Sequence, residues 1–276
     1  MVASAATAPP EPSVLLGTRT LSALVMAPPA LLAAWWGGYA FAALAAAAAA
    51  IMCWEWHRMA VKEFALAGQV AAAGCLAAAL MAVEAPALSV AVVVGAAIAS
   101  AALSRGRGER SHLWAGFGAL YVGIPSVALV WLRGDAEVGR ETLFWLLLLV
   151  WATDTGAYAF GRLIGGPKLM PAVSPKKTWA GLVGGMICAG AVGVAVALAV
   201  PVASPVGLAA GSALLAVVSQ AGDLLESWVK RRFGVKDSSS IIPGHGGVLD
   251  RVDGLLAAGA AVALGAWSSG AAMLTW

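Results

Sequence analysis

Charge is what this chain has least of: Asp, Glu, Lys and Arg make up 11% of its 276 residues, against 61% hydrophobic. So little charge excludes an ordinary water-soluble globule of this length. Cysteine is as scarce. Cys53, Cys75 and Cys188 stand singly in or beside apolar runs, a pattern that suggests neither a disulfide framework nor a zinc site. No internal repeat is evident, which argues against a transporter built from paired inverted halves. The net charge of +3 is no argument for nucleic acid, because basic residues in membrane loops are placed by topology and by anionic lipid. The first residues lack the basic start and cleavage pattern of a secretory signal, and with Pro9, Pro10, Glu11 and Pro12 they read as a mobile tail over 1–14.

What is present is hydrocarbon in runs of about 20 residues, each able to cross a layer of about 30 Å as a helix. Nine spans are expected, at roughly 21–36, 39–54, 66–83, 86–103, 113–132, 142–160, 180–201, 206–225 and 254–274. Their length and their alanine and leucine content favour helices over barrel strands. The expected fold is therefore an all-α, polytopic membrane bundle. Every Lys and Arg except Arg133 and Arg140 falls in one set of alternating connections, so the positive-inside rule places that set, and the N-terminus, in the cytoplasm. Trp35, Trp36, Trp54, Trp56, Trp114, Trp131, Trp267 and Trp276 lie near span ends and read as interfacial anchors.

The exception to the hydrocarbon is the segment 220–253, QAGDLLESWVKRRFGVKDSSSIIPGHGGVLDRVD, where acids and bases crowd between two apolar runs. Gln220, Asp223 and Ser227 recur at helical spacing and lead to Lys230 and Arg231; Asp250 and Asp253 sit three apart where the last span begins. Two acidic clusters at two helix ends, joined by a glycine-rich loop, can converge on one hard cation, which takes oxygen ligands. His245 with Gly244, Gly246 and Gly247 offers a loop whose amides can approach a phosphate; the plain alternative is a tight turn before a helix. Asp154 lies inside the sixth apolar run, where an ionisable side chain costs about 2.5–3.5 kcal/mol and should face a cavity or a partner. Asp154, Tyr158 and Arg162 are spaced by four and would line one helix face, either as a functional stripe or as a buried cluster joining helices. Acids beside a basic cluster at a membrane face describe an enzyme handling phosphates or nucleotides. A cation or phosphate transporter would also place such groups at helix ends.

The run Ser227, Lys230, Arg231, Lys236, Asp237, Pro243, His245, Gly246, Gly247, Asp250, Arg251 and Asp253 resembles the signature of the phosphatidate cytidylyltransferase (CDP-diacylglycerol synthase) family. Asp154-Thr155-Gly156-Ala157-Tyr158 with Gly161 and Arg162, Ser174-Pro175-Lys176-Lys177-Thr178-Trp179, and Tyr121-Val122-Gly123 are similar to it as well. The resemblance extends from Arg19 onward, the first four spans matching mainly in hydropathy. It implies a reaction of CTP with phosphatidate giving CDP-diacylglycerol and pyrophosphate, with magnesium required and a second cation as a further candidate.

By the same resemblance Asp223 and Asp250 are the expected metal ligands. Lys176, Lys177, Lys230, Arg231, Lys236, His245, Gly246, Gly247 and Arg251 are expected at substrate phosphates, and Ser227, Asp154, Tyr158 and Asp253 in support. The chain then divides into N-terminal membrane helices over 15–112 and a catalytic membrane region over 113–276, with cytoplasmic loops 161–179 and 222–253. Its expected place is a bacterial plasma membrane with the site facing the cytoplasm, its partners CTP and membrane lipid, its assembly by family precedent a homodimer. One position departs from the pattern: Ala180 stands where such proteins usually carry glutamate, a change that would weaken affinity, pass a ligand role to Asp154 or Glu226, or be tolerated without effect. A CTP-dependent lipid kinase, releasing CDP and no pyrophosphate, is the related alternative.

Overall fold

The structure is a computed structural model that describes residues 12–108, 110–200 and 204–275. Most of the expected tail, residues 1–11, and the expected anchor Trp276 lie outside the described residues.

Nine α-helices account for most of the described chain: α1 Pro12–Trp36, α2 Gly38–Trp56, α3 Leu66–Met81, α4 Pro86–Leu103, α5 Ser111–Arg133, α6 Gly139–Leu163, α7 Trp179–Ala199, α8 Pro205–Arg232 and α9 Leu249–Ser269. Each corresponds to one of the apolar runs read from the sequence. Among the described residues, seven helices are long and apolar enough to cross a membrane, namely α4 to α9 and α2 with the π-helical turn His57–Val61 that continues it. The apolar part of α1, Leu24–Trp36, and α3 are shorter; the 16 residues of α3 rise about 24 Å, less than a hydrocarbon core. Adjacent helices pack in sequence order, α2 through α5 as one group and α6 through α9 as another. Helix α5 joins the groups by packing on α9 and, less extensively, on α6.

The packing depends on small residues, as expected where lipid supplies no hydrophobic drive between helices. Ala42, Ala49, Ala71, Ala78, Ala79 and Ala119 are fully buried. A Cβ on Gly123 would lie 2.6 Å from Val93 and 2.8 Å from Cys75, so the glycine of Tyr121-Val122-Gly123 is what lets α5 approach α3 and α4.

Two features were not anticipated. The loop after α6 contains an antiparallel hairpin, β1 Lys168–Met170 with β2 Ser174–Thr178. Trp56 is no interfacial anchor: it is fully buried, donates from Nε1 to the Trp114 carbonyl at 2.8 Å, and packs against Phe117 and Tyr121. Trp35, Trp36 and Trp267 are exposed, as lipid-facing indoles would be.

Candidate active site

Helix α8 positions most of the charged groups. Its 28 residues rise about 42 Å, so roughly its last two turns project beyond a hydrocarbon layer of about 30 Å and can carry Ser227, Lys230, Arg231 and Arg232. Asp223 sits where the apolar part ends. Its Oδ2 is 2.6 Å from Lys177 Nζ, and its Oδ1 accepts from Ser227 Oγ at 3.2 Å. Lys177 comes from β2, where side chains alternate faces, so Lys177 meets α8 while Lys176 beside it stays exposed. Thr178 then starts α7 by accepting the Gly181 amide at 3.0 Å. The hairpin thus delivers a lysine to an acid on another helix.

Asp154 on α6 turns toward α8 and accepts from Gln220 Nε2 at 3.3 Å. Arg162 donates to the Tyr158 hydroxyl at 2.7 Å on the exposed continuation of that helix, so the expected stripe splits between two sets of partners. Asp154 feels the charges of Asp223, Lys177 and Arg251. Asp253 on α9 feels those of Asp223, Asp154 and Lys230. Four elements, α6, β2, α8 and α9, therefore bring Asp154, Lys177, Asp223, Arg251 and Asp253 to one place. The Tyr121 hydroxyl, buried without a hydrogen-bond partner, interacts electrostatically with Asp253, Glu226 and Asp223 from the α5 side.

Asp250 is used differently. Its Oδ1 is 2.7 Å from Lys230 Nζ, and its carboxylate also accepts the Ser238 amide at 3.0 Å, the Ser238 hydroxyl at 3.0 Å and the Gly247 amide at 2.8 Å. A carboxylate offers about four lone-pair sites, so these donors saturate it. Lys230 is itself buried and also pairs with Glu226, one turn back on α8 and fully buried. The two expected metal ligands are thus held by different lysines, Asp223 by Lys177 and Asp250 by Lys230. Among the described residues, no group of three His, Cys, Asp or Glu side chains forms a ready-made metal cage.

The loop between α8 and α9 is largely bonded to itself. The amides of His245 and Gly246 donate to the Ile242 carbonyl at 2.9 and 3.2 Å, and that of Gly247 to Asp250. These amides serve a tight turn, the plainer of the two readings of the glycine run. Gly246 has a positive φ of 86°, and a Cβ on Gly247 would collide with Ser238 Oγ and Glu55 Oε1. Lys236 and Asp237 are exposed on the loop; Arg231, also exposed, donates to the Val235 carbonyl at 3.1 Å. His245 is half-buried, its Nδ1 without a hydrogen-bond partner.

Sequence reasoning missed Glu55. It lies in α2, fully buried, and accepts the Ser239 hydroxyl at 2.6 Å and the Val248 and Leu249 amides at 2.9 and 2.8 Å. A signal was there: an acid between Trp54 and Trp56 at the end of an alanine-rich run is as anomalous as Asp154.

Residues 17–268 match the cytidylyltransferase family. The chain belongs to that family. Among curated relatives, the phosphatidate cytidylyltransferase of Brucella suis biovar 1 (strain 1330) is 50% identical over 147 residues, 53% of this chain and 54% of that protein. The protein of the same name from Staphylococcus haemolyticus (strain JCSC1435) is 44% identical over 137 residues, 49% of this chain and 52% of that one. The chain thus spans about half the length of the curated relatives it matches. Family membership agrees with the resemblance carried by the motifs around Asp154, Lys177 and Asp223 to Asp253.

Proposed function

We propose that this protein is a phosphatidate cytidylyltransferase of a bacterial plasma membrane, joining CTP to phosphatidate to give CDP-diacylglycerol and pyrophosphate. The observation that carries the reading is the convergence of Asp154, Lys177, Asp223, Arg251 and Asp253 from four elements, in a chain of the cytidylyltransferase family. In the reaction a phosphate oxygen of the lipid attacks the α-phosphorus of CTP, the bond from that phosphorus to the bridging oxygen breaks, and pyrophosphate leaves. No general base is needed, because the attacking phosphate is already ionised at neutral pH. The catalytic demand is to hold two polyanions together and to neutralise the departing one.

Lys177 and Arg251 are the cations best placed for that demand, and the exposed Lys176, Arg231 and Lys236 would attract CTP to the mouth of the site. The distribution of Lys and Arg supports a mouth facing the cytoplasm, where CTP is dissolved, with phosphatidate arriving from the bilayer.

Magnesium fits part of this donor set. It favours one or two carboxylates completed by phosphate and water oxygens, and Asp223, with Asp154 and Asp253 alongside, offers that. Asp250, saturated by protein donors, fits better as the anchor of the loop. The metal would lower the charge repulsion between the two phosphates and stabilise charge on the leaving group.

The test is incubation of detergent-purified full-length protein with CTP, phosphatidate and magnesium, scoring products by mass spectrometry. CDP-diacylglycerol and pyrophosphate in equal amounts, abolished by a chelator, are expected. Release of CDP with a phosphorylated lipid and no pyrophosphate would replace this reading by a lipid kinase, and no turnover would remove it.

A further inference from the structure

Two carboxylates hold the loop between α8 and α9, and they take its donors in alternation. Asp250 accepts from Ser238 and Gly247; Glu55 accepts from Ser239, Val248 and Leu249. One acid belongs to α9 itself. The other reaches in from α2, far away in sequence. Helix α9 has no side-chain cap of its own at Val248, so Glu55 supplies the acceptors that its first amides require.

Two further contacts tie the same loop to the N-terminal helices. Lys62, in the left-handed position that ends the π-helical turn after α2, donates to the Phe233 carbonyl at 3.1 Å where α8 stops. Ser22 on α1 donates to the Pro243 carbonyl at 2.9 Å.

We propose that Glu55 is a positioning residue for nucleotidyl transfer. By fixing where α9 begins, it sets Arg251 and Asp253 against Asp154, Asp223 and Lys177. The inference rests on the cytidylyltransferase reading for its catalytic consequence, while the loop geometry it asserts stands separately. Glutamine is the informative replacement. It keeps size and shape but turns one acceptor into an N–H donor that must face an amide or the Ser239 hydroxyl. Aspartate keeps the acid and shortens its reach.

With purified full-length protein, Glu55→Gln is expected to lower kcat by about 100-fold, the scale on which a displacement of an ångström in a reacting site acts, with KM for phosphatidate changed far less. Glu55→Asp should recover a large part of that loss. Hydrogen exchange should show faster exchange of the amides from 238 to 250 in Glu55→Gln, with α3 and α4 unchanged. A Glu55→Gln protein with wild-type kcat, or with wild-type protection across 238–250, overturns the proposal. So does a loss of activity that follows the folded fraction alone and is not recovered by aspartate. If the wild-type protein makes no CDP-diacylglycerol the functional reading fails by itself, and the exchange measurement still decides whether Glu55 holds the loop.

Discussion

Helices α3 and α4 contain no Asp, Glu, Lys or Arg, whereas the last ten residues of α8 contain Asp223, Glu226, Lys230, Arg231 and Arg232. The first meets its neighbours mainly through alanine, glycine and valine at close range, with the Ser100–His57 and Cys75–Ala119 hydrogen bonds added, so shape dominates its packing. The second leaves Arg231 and Arg232 exposed but must satisfy its remaining charges partly or wholly away from bulk water, and does so in pairs: Lys177 with Asp223, and Lys230 with both Glu226 and Asp250. Close packing resists added volume but leaves no group unsatisfied when it shifts slightly. Paired charges differ, since moving one partner leaves the other desolvated and alone. The contrast sets a shape-packed scaffold against the paired charges of α6–α9, with Glu55 as the scaffold's polar reach into the other half.

Three substitutions would break or sharpen that contrast. The largest effect is expected from Asp223→Asn, which removes a charge at the heart of the cluster from a half-exposed position. Turnover should fall by at least about 1,000-fold, a loss of roughly 4 kcal/mol of transition-state stabilisation, while the thermal unfolding midpoint falls less than for Lys230→Met, since Asp223 is half-exposed and Glu226 and Asp250 are enclosed. Near-normal pyrophosphate release would take Asp223 out of the site.

Lys230→Met should act on both halves of the comparison. It leaves Glu226 and Asp250 buried without their cation, at a cost of about 3–5 kcal/mol. A clearly lowered unfolding midpoint together with lost activity is expected. An unchanged midpoint would show that the buried pairs contribute no stability.

Gly123→Ala belongs to the scaffold. The added methyl meets Val93 and Cys75 and should destabilise by about 1–3 kcal/mol. Activity per folded molecule should remain near wild type. A fall in kcat as large as that from Asp223→Asn would mean that the scaffold and the site are not separable in this way.

Much of the architecture follows from local hydropathy. Each apolar run became a helix because the backbone has no other partner in hydrocarbon, and the boundaries at residues 86, 103, 133 and 205 sit close to where proline or charge marks them. The hairpin Lys168–Thr178 escaped notice because three and five residues are too few for a periodic signal. Trp56 looked like an anchor because position near a span end is all that sequence offers; its neighbours Trp114, Phe117 and Tyr121 come from another helix.

In the candidate site, Asp154, Asp223, Lys230, Asp250, Arg251 and Asp253 were identifiable as charged residues out of place in an apolar chain, and Lys177 through the family resemblance. Which acid faces which base was not. Asp223 and Asp250 looked equivalent from spacing, yet one is half-exposed beside Lys177 and the other is enclosed by Lys230, Ser238 and Gly247.

The order of residues alone determined that this chain lies in a membrane as a helical bundle, and that its acids and bases crowd into 220–253 with Asp154 set apart in an apolar run, because hydropathy and charge are local properties. Tertiary structure decided the pairing of those charges, the saturation of Asp250 and the part played by Glu55. Pairings between elements, Lys177 with Asp223 and Lys230 with Asp250, depend on distances that no spacing along the chain encodes, and a buried carboxylate takes its role from the donors that surround it.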